Sequence, residues 1–135
     1  MTAPATLREQ LAQQIKADNP TFLVWEYPDA PANVTAGRPV VSVWRELMET
    51  HPTTGLALEH TLKVNVYLSK TAGAAAELEC DNALDAVMFS LQRMPNLRFV
   101  KATRQSFRDG TLAGWQLEAA GTSKNVYRST VLTGG

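Results

Sequence analysis

The residues of this chain best suited to chemistry are one cysteine, Cys80, and two histidines, His51 and His60. A zinc site needs several Cys, His or carboxylate ligands at short spacing, and these three lie far apart on different predicted elements. Nucleophilic catalysis needs a nucleophile beside an oriented base, and no serine, cysteine or carboxylate pairs with His60 by motif. His60 falls on the apolar face of a predicted strand and reads as a satisfied, partly buried histidine. Cys80 falls on the buried stripe of a predicted helix and reads as a small core hydrophobe. Phosphate-cradling loops cluster glycines ahead of a helix, whereas the eight glycines here are scattered. The expectation is a protein that is not an enzyme and holds no cofactor and no metal.

The charged residues are more ordered. Glu77, Glu79, Asp81 and Asp85 form an acidic helix face, with no basic residue between Thr71 and Gln92. Arg93, Arg98, Lys101, Arg104 and Arg108 follow, with no acid among them until Asp109. One reading is a solvated helix start and a solvated strand edge. The other is a pair of complementary patches that meet between neighbouring subunits and set orientation more than affinity. Such a head-to-tail contact closes into a ring where its rotation permits. Specific nucleic-acid binding is disfavoured, because no aromatic stacking pattern accompanies the basic residues and 13 Lys and Arg balance 13 Asp and Glu.

The elements that must position these groups follow from periodicity. Thr6 to Glu9 has capping-box form, and Leu7, Leu11 and Ile15 predict a helix over 7–18, stopped by Asn19-Pro20. Phe22 to Trp25 reads as a strand, within 21–27. A loop is expected over 28–37, a second strand over 39–44 and a second loop over 47–55. Leu58, His60, Leu62, Val64, Val66 and Leu68 then alternate with polar residues and Tyr67, a period of two that predicts a long half-buried strand. Cys80, Leu84, Val87, Met88 and Leu91 mark the buried stripe of a second helix over 74–94, ended by Pro95. Segments 97–107 and 113–122 pair as a hairpin around Asp109-Gly110, with Ala113, Trp115, Leu117 and Ala119 inward. Residues from about 123 to 135 are expected as an edge strand or an extended arm.

The order α-β-β-β-α-β-β predicts an α+β fold: a mostly antiparallel sheet of four to five strands with both helices on one face. A length of 135 residues and an apolar fraction of 44% fit one domain with its own core. A lone cysteine favours a reducing compartment, and neither a secretory signal nor a membrane-spanning stretch is evident. Trp44 and Tyr67 are the candidate aromatic residues on the face that the helices leave open.

This layout resembles the tail terminator (tail completion) proteins of long-tailed phages, including that of phage lambda. The resemblance rests on chain length, the N-terminal helix, the strand Arg38-Pro39-Val40-Val41-Ser42-Val43-Trp44, the long alternating strand leading into a helix, and a hairpin with a charged tip. Arg-Pro-Val-Val before a variable loop also resembles tail proteins of actinobacterial phages. The family implies a hexameric ring that caps the finished tail tube, ends its polymerisation and offers the head-joining surface. It implies as partners further copies of the chain, the major tail tube protein and a head-tail connector protein, with no membrane. It implies a place at the head-proximal end of the virion tail after assembly in the host cytoplasm. The family has no short signature that would carry single residues across; the charge segments and the open aromatic face themselves lead to an expected subunit interface among Trp44, Tyr67, Glu77, Glu79, Arg98, Lys101, Arg104, Arg108 and Asp109. Two alternatives stand beside this: a neck or head-completion protein, and a small-ligand domain with its pocket beneath Trp25, Trp44 or Trp115.

Overall fold

The computed structural model describes residues 6–35, 37–50, 57–69 and 73–124. Helix α1 (Leu7–Asp18) begins where expected: Thr6 Oγ1 accepts the Glu9 amide at 3.2 Å, and Leu7, Leu11, Ala12 and Ile15 form its buried face. The chain continues through β1 (Leu23–Trp25), β2 (Val40–Thr50), β3 (Ala57–Leu68), α2 (Ala74–Gln92), β4 (Leu97–Phe107) and β5 (Leu112–Lys124). The five strands make one sheet in the order β1-β2-β3-β5-β4. Its β1–β2 pairing is parallel and the other three are antiparallel.

The alternation in β3 explains its central place. Leu58, His60, Leu62, Val64, Val66 and Leu68 are all buried, and the aliphatic members from Leu62 onward join the core beneath both helices. From the helices come Leu7, Leu11 and Ile15, and Cys80, Val87 and Leu91; from β5 come Ala113, Leu117 and Ala119. Burial of the five aliphatic side chains of β3 contributes roughly 8–15 kcal/mol gross, before chain entropy is subtracted. Gly114 is required where β5 meets β3, because a Cβ there would collide with the Val66 carbonyl oxygen.

Four boundaries differ from expectation. The first strand is three residues long, limited by its pairing to Val40, Val41 and Ser42. Strand β2 continues to Thr50 through residues expected as a loop, paired to β3 as far as Leu58 with an irregularity between Arg45 and Leu47. That half of β2 lies beyond the reach of β1, so its outer edge can be polar and the apolar alternation disappears. Helix α2 stops at Gln92 rather than 94. Strand β5 runs to Lys124, so 123–124 are strand and the expected arm beyond them lies outside the described residues, as does His51.

Candidate functional site

The open face of the sheet is two surfaces. Toward β1 it is apolar and covered: Val40, Tyr67 and Leu112 form a second small core under Leu23, Trp25, Ala30 and Val34. Tyr67 is only 2% exposed, meets Phe107 edge-on at 4.6 Å, and its hydroxyl accepts a bond from Asn65 Nδ2 at 2.9 Å. The expectation that Tyr67 faces a neighbouring subunit is therefore corrected. The loop after β1 folds over it.

Toward the other end the same face is charged. Lys63 Nζ binds Glu118 at 2.9 Å and reaches Glu46 at 3.4 Å. Its bond to Glu118 raises the Lys63 ammonium and holds the Glu118 carboxyl below its ordinary range. Lys101 lies opposite Glu118 on β4 and is exposed; Trp44 lies opposite Lys63 on β2 and is half-buried. Arg98 reaches Glu59 at 4.0 Å with most of its side chain in solvent. Trp44 and Lys101 thus share a face, but β3 and β5 lie between their strands.

The charged segments are in part paired within the subunit. Arg104 forms a two-pronged pair with Glu77 of its own subunit, at 2.9 and 3.1 Å, with its guanidinium carbon 5.9 Å from the centre of the Trp115 ring. Packing of α2 over β4 brings these residues together, so the pair forms within the chain. Glu79 is half-buried and also has interactions of its own. Asp81, Asp85, Arg98, Lys101, Arg108 and Asp109 remain exposed. Arg108 and Asp109 sit at the hairpin tip with φ of 50° and 55°, a left-handed conformation uncommon outside glycine.

One surface was missed. Leu78 and Phe89 are each 62% exposed on α2, with Asn82 and Asp85 between them on the same side. The spacing 78, 82, 85, 89 is that of one helix stripe, directed away from the core. The signal was present: neither residue falls on the Cys80–Val87–Leu91 stripe. Phe99 and Val100, at an irregularity in β4, add two exposed apolar residues at the sheet edge.

The two described candidates for chemistry, His60 and Cys80, are both buried. Burial pushes the Cys80 thiol up. His60 Nε2 lies 2.7 Å from Ser123 Oγ, and among the described residues its Nδ1 has no partner, carboxylate or other. Among the described residues no group of three or more His, Cys, Asp or Glu could hold a metal ion. No described helix is long and apolar enough to cross a membrane. A cavity of about 310 Å³ lies between α2 and the segment before β2, lined by Phe22, Val34, Arg38, Leu68, Asn82 and Ala83 among others; Trp25, Trp44 and Trp115 do not line it.

Neither a protein-family model nor a curated protein matches this sequence. Its fold does have a solved counterpart. A chain in the structure of the virion of a native gene transfer agent particle matches with a TM-score of 0.56 at 17% identity, over 88% of this chain and 95% of that one. The likeness runs nearly end to end in both chains.

Proposed function

We propose that this chain is a structural virion protein, and within the virion the terminator of a phage tail: a ring that caps the finished tube and presents a surface for the head. The observation that carries this is the near full-length fold likeness to a chain of a virion. The layout that resembles tail terminators points the same way. The chain's residues suit a contact between copies better than a reaction. Its exposed apolar pairs are Leu78 with Phe89 on α2, and Phe99 with Val100 on the sheet edge. Asp81 and Asp85 flank the first pair, while Arg98 and Lys101 flank the second. Acidic α2 of one copy against basic β4 of the next gives a head-to-tail contact with matched charge, the type that closes into a ring.

A tail tube grows by adding identical rings, so each new end looks like the last. Stopping requires a subunit that binds this end and shows a different top. The partners in this reading are other copies of the chain, the tail tube protein and a head-tail connector; no cofactor and no catalysis are involved. Immunogold labelling of assembled particles tests the position. Label at the junction of head and tail is expected, and label at the distal tip or on the head shell would exclude the role. A purely two-fold dimer by sedimentation would also count against it, because an isologous pair buries the contact a ring needs.

A further inference from the structure

The N-terminus of α1 and the sheet beneath it enclose a small cavity of about 60 Å³, lined by Thr6, Leu7, Arg8, Arg45, His60 and Leu62. Three nitrogen-bearing side chains converge there from three elements: Arg8 from α1, Arg45 from β2 and His60 from β3. Two of their atoms, Arg8 Nε and His60 Nδ1, are buried without a partner among the described residues. Such an orphan is costly and marks a place where an acceptor belongs.

His60 is 7% exposed, and its Nε2 is engaged by Ser123 Oγ at 2.7 Å, so Nδ1 is the nitrogen left for the cavity. The tautomer in which the serine hydroxyl donates to Nε2 has its hydrogen on Nδ1, which can then donate into the cavity. Arg8 Nε is a donor in every protonation state. The first turn of α1 adds amides with no intrahelical acceptor and a partial positive charge. The nearby acid, Glu9, is taken up by the Thr6 hydroxyl at 3.3 Å and by an Arg8 nitrogen at 3.9 Å. Burial, and then the charge of Arg45, hold His60 below the ordinary histidine range.

We propose that this cavity binds a single small oxyanion of the size of phosphate or sulfate through Arg8, Arg45 and His60. The proposal stands apart from the assembly role and does not depend on it.

The test uses the full chain, with sodium phosphate, sodium sulfate and sodium chloride compared at matched ionic strength. Phosphate and sulfate should raise the melting temperature saturably, as ligands of the native state do, whereas chloride should not. In the wild type the same titration should move the His60 ring resonances and raise the pH at which that ring titrates. Arg45→Gln alters an exposed side chain and should weaken the apparent affinity roughly tenfold, the usual effect of losing one charged hydrogen bond. Lys16→Gln, an exposed change at the far end of α1, should leave the anion affinity unchanged. An equal response to all three salts, an unchanged response in Arg45→Gln, or a His60 resonance indifferent to phosphate would each overturn the site.

Discussion

The two faces of the sheet use different rules. Beneath the helices, alternate residues of β3 enter one continuous apolar core, and each position is apolar because its neighbours are. On the opposite face the same strand passes within five residues from Lys63, which is held by Glu118 and Glu46, to Tyr67, sealed under the loop after β1. One face is set by burial alone. The other is set by what happens to cover each part of it, and only its uncovered part is available to partners.

The sharpest way to break this comparison is to charge each face in turn. Val64 is 1% exposed on the helix side, and Val64→Asp should cost more than about 4 kcal/mol, in the severe range for an unpaired buried charge. Lys63→Asp, one residue away on the open face, loses the ion pairs to Glu118 and Glu46 but strands no charge in the apolar core, and should remain folded. Denaturant midpoints decide it; an unfolded Lys63→Asp beside a native-like Val64→Asp would invert the assignment of faces.

The next effect tests the sealed end of the open face. Tyr67→Ala should cost about 3–5 kcal/mol, as for a large core aromatic. Tyr67→Phe keeps the ring but leaves Asn65 Nδ2 without its acceptor, and should cost about 1 kcal/mol. A neutral Tyr67→Ala would mean that the loop does not cover this end.

Much of the helix-covered face was legible in the sequence because periodicity reports burial directly. The face of β3, the start of α1 and the hairpin strands all followed from spacing. The second half of β2 did not, since Arg45, Glu46 and Glu49 lie on an exposed edge whose partner is chosen by β3 rather than by burial. The burial of Tyr67 depends on a loop with no periodicity of its own. The Glu77–Arg104 pair depends on how α2 lies across β4, so the charge runs showed two patches but not that part of them was already paired.

Acid should expose a smaller contribution from both sides of the sheet. Asp18 is held below the ordinary value of 3.8, mainly by the Ser90 hydroxyl and then by Gln14. Glu118 is held below 4.5 by Lys63. Carboxyls depressed in the folded state stabilise it above their unfolded values, and that stability is lost as pH falls through the folded ones. Melting temperature should therefore fall below about pH 4, and Asp18→Asn should flatten part of that fall. An Asp18→Asn profile superimposable on the wild type would remove Asp18 from the account.

The smallest effect on the monomer is expected at the proposed contact. Phe89→Ser and Leu78→Ser should each leave stability within about 0.5 kcal/mol, because both side chains are largely in solvent. Ring formation, followed by sedimentation at high concentration, should nevertheless be reduced. Unchanged rings in the double variant would place the contact elsewhere.

The central claim is that this domain ends a growing tail, and tail length measures it most directly. Electron microscopy of particles made without this chain should show tubes of irregular and excessive length that fail to join heads. Tails of normal length beside heads that leak DNA would instead assign the chain to the neck, and fully formed infectious particles would contradict both roles.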